Sequence, residues 1–285
     1  MLDSGEVKRR QNEERLLKIQ YAARVHYNKA LRELGCGWIL CILTLAFSLM
    51  PDSLPYWILN GIPVLLDLVV WAVIRSVGEN VRKAAGLREY FDDYVLQLPS
   101  KSARTQVEDI NELSERSYQK NKEQARIQIA HNAHDNPPGV RDWYEITDQQ
   151  IGEELQLECQ KQNVWWNSKL TKCRIYITAC IAVVVIMIFL TLCLECGVIR
   201  TIICSAGLLV QIADRMCENI KYLRISSEID GALKVVEIQP TETAVAELQD
   251  LINKRRGIVV LELDAVHGKN AGKWSNVYAK RKGGI

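Results

Sequence analysis

Residues 34–74 read LGCGWILCILTLAFSLMPDSLPYWILNGIPVLLDLVVWAVI. Two apolar runs, Leu34–Met50 and Leu54–Ile74, are separated only by residues 51–53. Each is near the ~20 apolar residues a helix needs to cross the hydrocarbon core of a bilayer. The short connection makes them a helical hairpin that returns to its starting side. A second pair, Ile175–Leu194 and Val198–Ala213, repeats the arrangement after a charged stretch at 75–174. The chain has 285 residues, net charge +2 and mean hydropathy −0.06, averages that look soluble and mislead, because its apolar content is gathered into blocks.

Working outward from the hairpins, Lys and Arg collect at one end of every run. They lie before the first run from Lys8 to Arg32, after the second at Arg75, Arg82, Lys83 and Arg88, before the third at Lys161, Lys169, Lys172 and Arg174, and after the fourth at Arg215, Lys221 and Arg224. The tips carry only Asp52 and Glu195, with Arg200 just inside the fourth run. The positive-inside rule then places both termini and the insert in the cytoplasm. The charged, helix-patterned first 33 residues predict that the first membrane helix is its own insertion signal.

The sequence thus predicts a mainly α chain: a four-helix transmembrane protein of two helical hairpins, with a helical cytoplasmic insert and a small C-terminal α/β tail. The expected divisions are an N-terminal amphipathic helix at 1–33, hairpins at 34–74 and 175–213, the insert at 75–174, and a C-terminal helix and tail at 214–285. Leu16, Ile19, Ala23 and Ala30 recur at helical spacing and predict one helix over 6–33. The second membrane helix is expected to continue to Leu98-Pro99, with a further helix over 106–131. Asn136-Pro137-Pro138-Gly139 marks a loop, and Thr147 or Asp148 suits the cap of a helix starting near Gln149. A last helix to about Arg256 would be capped by Thr241 or Thr243. Ile258–Leu263 reads as a strand, and His267–Ile285 as a poorly ordered tail. The nine cysteines suggest no disulfide framework; Cys193 and Cys196 form a lone CxxC, for which packing is the simpler reading.

Polar residues inside the membrane are functional candidates by default. Asn60, Pro63 and Asp67 share one face of the second helix, and Pro63 frees a carbonyl near Leu59. Arg200, Cys204, Gly207, Gln211 and Asp214 share one face of the fourth. Asn60, Pro63, Asp67, Arg200 and Gln211 are therefore the expected lining of a water-accessible pathway. Four helices leave little room for a lumen, so a pore would need several chains with both stripes facing the oligomer axis. Intramolecular packing is the competing reading.

Arg9-Arg10-Gln11-Asn12, Leu65-Leu66-Asp67, Tyr90-Phe91-Asp92, Val95-Leu96-Gln97-Leu98-Pro99, Asp142-Trp143-Tyr144 and Gln160-Lys161-Gln162-Asn163-Val164-Trp165-Trp166-Asn167-Ser168-Lys169-Leu170 follow one another around the two hairpins. In that order they resemble the SMODS-associated four-transmembrane effectors of bacterial anti-phage signalling (CBASS). The resemblance covers roughly residues 6–256. It implies a pore-forming or membrane-disrupting effector at the bacterial inner membrane, gated by a cyclic di- or oligonucleotide that a partner nucleotidyltransferase makes, and causing abortive infection. The alternative is a membrane-anchored nucleotide- or protein-binding module without pore activity.

Phosphates call for Arg, Lys or backbone N–H groups, and bases stack on aromatic rings. Arg141, Trp143, Tyr144, Trp165, Trp166 and Lys169 are accordingly the ligand-binding candidates, with Arg88 and Tyr90 on the stalk as further offers. Arg9 to Asn12 could contribute or could cap the insert. His131, His134 and Asp135 read as a solvated loop rather than a metal site, because catalytic zinc wants three protein ligands and an ordered second shell. The P-loop, Gly-x-Ser-x-Gly and HExxH motifs are missing from the sequence, so no enzyme activity, cofactor or metal is expected. The expected partners are the nucleotide, the lipid bilayer and further copies of the chain, with no DNA or RNA.

Overall fold

A computed structural model describes residues 2–51, 53–99, 104–133, 135, 137–146 and 150–260, with the side chains at 104–105 and 165–175 also outside the description. The elements are α1 (Ser4–Gln11), α2 (Glu14–Ala46), α3 (Ile62–Val95), α4 (Arg104–Lys120), α5 (Lys122–Ala130), α6 (Gly152–Cys196), α7 (Val198–Ile238) and α8 (Glu242–Arg256). A 3₁₀ turn, Phe47–Leu49, ends α2, and a π-helical turn, Trp57–Gly61, leads into α3. That π turn sits just before Pro63, which lacks the N–H that would close a regular turn. Gly197 joins α6 to α7 at φ 83°, a conformation that favours glycine. Among the described residues there is no strand, only an isolated bridge between Asn132 and Arg141.

α2, α3, α6 and α7 each run unbroken through an apolar half and a polar half. In the apolar half, Cys41, Val70, Ala182, Leu208 and Ile212 pack together, with every one of the four helices contributing. Outside this small core, large apolar side chains are exposed on all four, among them Ile42, Leu65, Met187 and Ile199. Such a belt is stable only against lipid or another apolar surface. Tyr56 and Trp57 stand exposed at the tip end, and Trp71 and Tyr176 at the other, as interfacial aromatics do. Among the described residues three helices are long and apolar enough to span a membrane: Glu14–Leu49, Trp57–Val95 and Tyr176–Cys196. The fourth expected span, 198–213, opens α7 and does not reach that apolarity. Its lower apolarity is accommodated by position. Thr201, Cys204, Ser205, Gly207 and Gln211 are buried, and α7 packs against α2, α3 and α6.

The polar half has a larger core, built from α1, the first half of α2, the second half of α3, the start of α6, the end of α7, and α8. Two helices expected from the sequence are each broken once. The 6–33 helix stops at Gln11 and restarts at Glu14, because Gln11 and Asn12 are turned toward the 142–144 segment. The 106–131 helix is divided at Asn121 (φ −145°, ψ 54°). Thr241 does cap α8, its hydroxyl accepting from the Ala244 N–H at 3.3 Å. The strand expected from Ile258 does not form over 258–260. There the Val259 N–H donates to Glu218 and its carbonyl accepts from Arg215, so two side chains satisfy the backbone instead of a neighbouring strand. Asp52, Thr147, Asp148 and the tail from 261 to 285 lie outside the described residues.

Candidate functional site

Polar groups of the α3 and α7 stripes pack within the chain: Asp67 of α3 lies against Gly207 of α7, while Arg200 and Gln211 of α7 reach α2 and the turn that ends it. The helices run parallel from the tips, so residues equally far along each fall side by side. At the top, a cleft of about 810 Å³ opens between the hairpin tips, lined in part by Tyr56, Asn60, Gly197 and Arg200. The Arg200 guanidinium donates to the Phe47 carbonyl at 2.9 Å and to that of Met50, tying one tip to the other. Asn60 bonds back to the Tyr56 carbonyl at 3.1 Å, within the irregular turn that Pro63 creates. Two turns deeper, the Asp67 carboxylate lies against the Gly207 backbone, where any added Cβ would overlap it. Below that, Gln211 is fully buried and its Oε1 accepts from the Cys41 thiol at 3.2 Å. Asp67 Oδ1 and Gln211 Nε2 are both buried without a hydrogen-bond partner. A buried polar atom left unpaired costs about 1–3 kcal/mol, so this seam is not optimised for stability.

The polar half treats its buried charge differently. Asp92, fully buried on α3, is 2.7 Å from Arg256 Nη1. It also accepts from the Tyr144 hydroxyl at 2.6 Å and from Gln249 Nε2 at 2.9 Å. Asn163 then donates to Tyr144 Oη, and Gln160 to Gln249 Oε1 and the Val245 carbonyl. Burial and the adjacent Asp92 hold the Tyr144 hydroxyl well above its ordinary pKa, so it stays a donor. Burial would lower Arg256, but Asp92, with Tyr144 and Tyr27, more than offsets it and holds the guanidinium above its usual value. Next to this network, burial and the neighbouring Glu89 and Asp92 raise Asp93 to about 7.

These bonds decide which expected ligand residues remain available. Tyr144 is 2 % exposed and belongs to the core network; its backbone is also held by Gln11, whose Oε1 accepts from the Tyr144 N–H at 2.9 Å. Asn12 pairs with Asp142 at 2.7 Å, so Gln11 and Asn12 cap the insert, one of the roles open to them from sequence. Arg141 is exposed and its Nε donates to the Ile129 carbonyl, closing its own loop. Tyr90 is buried and accepts from Arg15 at 2.8 Å. Trp143 is half-buried, with the Arg88 guanidinium 3.9 Å from its ring centroid. Trp165, Trp166 and Lys169 stand on α6, and their side chains lie outside the described residues, as does His134. His131 Nδ1 lies 3.7 Å from Asp135 in the loop after α5.

The structure therefore brings Arg88, Trp143, Asp92 and Arg256 into one neighbourhood. Of these, Asp92 and Arg256 escaped the sequence reading as partners. The signal for Asp92 was its place in Tyr90-Phe91-Asp92; nothing in the sequence pointed to Arg256 across the intervening chain.

A family model for the SMODS-associating 4TM effector domain matches residues 5–256. No curated protein and no solved structure matches the chain. The matched region ends with α8 and contains both the polar seam and the buried network.

Proposed function

The chain belongs to the SMODS-associating 4TM effector family, and from that premise we propose that it permeabilises the bacterial inner membrane when its cytoplasmic half binds a cyclic nucleotide. The family's association with SMODS-type nucleotidyltransferase systems supports such a ligand. Both termini and the insert then face the cytoplasm, as the distribution of Lys and Arg argues. The protein performs no chemistry of its own and holds no cofactor or metal.

One observation carries this reading. The helices that form the polar core are the same helices that form the membrane bundle, without a linker between. A shift imposed on α3 or α7 in the cytoplasm reaches Asp67 and Gly207 as a rigid-element displacement. The α3–α7 seam is the place for such a displacement to act, since it leaves polar atoms unpaired in the closed state. Opening it would give Asp67 and Gln211 access to water. Several chains would combine their seams, or the lipid faces beside them, into a larger breach. Death or growth arrest of the infected cell follows from the loss of the membrane barrier.

The closed packing of Gly207 on Asp67 favours a second reading, in which the hairpins only anchor a nucleotide- or protein-binding module. Dye-loaded liposomes containing the purified protein separate the two. Release by one of a panel of cyclic di- and trinucleotides, and not by the others, supports gated permeabilisation. Nucleotide binding with no release, and activity that survives replacement of both hairpins by unrelated anchors, would instead establish the anchored module.

A further inference from the structure

Among the described residues Arg88 has no acid within ion-pair distance. It stands one turn before Asp92 on α3, but Asp92 is already committed to Arg256, Tyr144 and Gln249. Its Nη1 is buried and has no hydrogen-bond acceptor. Leaving a guanidinium N–H in that condition is unfavourable unless something else supplies the acceptor. The surrounding charge adds to the demand for an anion. Burial and the neighbouring Arg256 and Arg24 push Arg88 down to about 10, with Tyr27 and Asp92 opposing.

The guanidinium is nevertheless held in place. Trp143 lies under it at 3.9 Å, a stacking arrangement that fixes the plane of the fork. The segment carrying Trp143 is pinned on both sides. Arg24 binds the Pro138 and Gly139 carbonyls at 2.7 and 2.8 Å, and Asn12 and Gln11 hold Asp142 and Tyr144. Arg88, Arg24, Trp143 and Tyr27 each keep partial exposure, so the edge of the cluster meets solvent although Arg88 Nη1 itself is buried. A rigid, unpaired guanidinium beside an indole is what phosphate recognition with an adjacent planar base requires.

We propose that Arg88, backed by Trp143 and flanked by Arg24 and Arg256, is a phosphate-binding site. Its assignment to a nucleotide, with the phosphodiester on Arg88 and a base against the aromatic ring, rests on the gated-effector reading above. A lipid headgroup is the other source of phosphate, and distance argues against it. Arg88 lies fourteen residues beyond Ile74, the end of the apolar run, which is ~21 Å along a helix.

The test uses the full-length protein in detergent, with calorimetric titration of inorganic pyrophosphate and of the cyclic di- and trinucleotide panel. Pyrophosphate binds the wild type, Arg88→Ala weakens it by about tenfold or more, and Arg88→Lys falls between, since a point charge cannot reproduce the fork. The thermal midpoint of Arg88→Ala drops by no more than about 2 °C, because the lost group had no hydrogen-bond acceptor. Equal pyrophosphate binding by wild type and Arg88→Ala overturns the site, as does a large loss of thermal stability, which would make Arg88 a packing residue. Vesicles with and without phosphatidylglycerol form a separate arm. An Arg88→Ala defect seen only in binding to the anionic vesicles overturns the soluble ligand in favour of lipid. Liposome dye release distinguishes this proposal from the reading it rests on. Arg88-dependent pyrophosphate binding with no nucleotide-triggered release from the wild type upholds the site and removes the gating. Unchanged nucleotide-triggered release in Arg88→Ala overturns the nucleotide assignment.

Discussion

Asp67 and Asp92 stand on the same helix, ~37 Å apart at the rise of an α-helix, and the fold surrounds them in opposite ways. Asp92 is buried with an arginine, a tyrosine hydroxyl and a glutamine amide on its two oxygens. Asp67 lies against a glycine backbone, and its Oδ1 has no partner. A buried carboxylate is tolerable when paired and hydrogen-bonded, and unfavourable otherwise. The contrast separates a satisfied buried charge from an unsatisfied one, and on the proposed gating reading it separates scaffold from working part. Around Asp92 the chain has assembled groups from α3, α6, α8 and the 142–144 segment into one closed arrangement. Around Asp67 it has kept close helix contact and left polar atoms unsatisfied, a departure from full satisfaction of the kind found at functional sites.

The strongest way to break this comparison is at Asp92. Asp92→Asn removes the charge opposite Arg256 and leaves that guanidinium buried, its side chain only 14 % exposed. The expected loss is about 3–5 kcal/mol, on the order of 10 °C in the thermal midpoint of the detergent-solubilised protein. A loss under about 1 kcal/mol would show that the network is not what holds the polar half together.

Asp93 sharpens the comparison through pH. Its carboxyl is raised from an ordinary value near 4 to about 7, first by burial and then by Glu89, Asp92 and Asp250, with Arg256 opposing. Between those two values the folded chain binds more protons than the unfolded one, so stability falls as pH rises and levels off above about 7. At one unit per 1.36 kcal/mol the full effect is about 2–4 kcal/mol. Denaturation measured from pH 4 to pH 8 should show this decline in the wild type and a flatter profile in Asp93→Asn. Parallel profiles would mean that the loss comes from other groups.

Much of this architecture can be read from residues 34–74 and 175–213, because apolar blocks of membrane-spanning length are a strong signal. The break between α1 and α2 near Asn12 was hidden, since helical periodicity continues across it while Gln11 and Asn12 act through the distant 142–144 segment. The strand expected from Ile258 failed for a related reason. A β-branched run has the local preference, but the backbone of Val259 is satisfied by Arg215 and Glu218 from α7. The polar stripes of α3 and α7 were visible as helical faces, and helical spacing gives no information on which neighbour a face meets. Tyr144 looked like a ligand group because burial in the Asp92 network cannot be read from a loop sequence, whereas Arg141 is exposed as a ligand group would be. Trp143 remained available, and only the structure shows what Arg88 lacks.

The smallest expected change in stability is the most informative for function. Asp67→Asn keeps the size of the side chain and removes its charge. No hydrogen bond to Oδ1 is lost, so unfolding in detergent should change by less than about 1 kcal/mol, in either direction. In liposomes the same substitution should reduce nucleotide-triggered cation flux, because a carboxylate exposed to water by the opening of the seam attracts cations and an amide does not. Set beside Asp92→Asn, this gives two chemically identical substitutions on one helix, with the larger stability effect at one site and the larger flux effect at the other. If Asp67→Asn instead unfolds the protein as readily as Asp92→Asn, the seam is scaffold too. The pathway must then be sought along the lipid-facing sides of the bundle, where Leu65 and Met187 stand exposed.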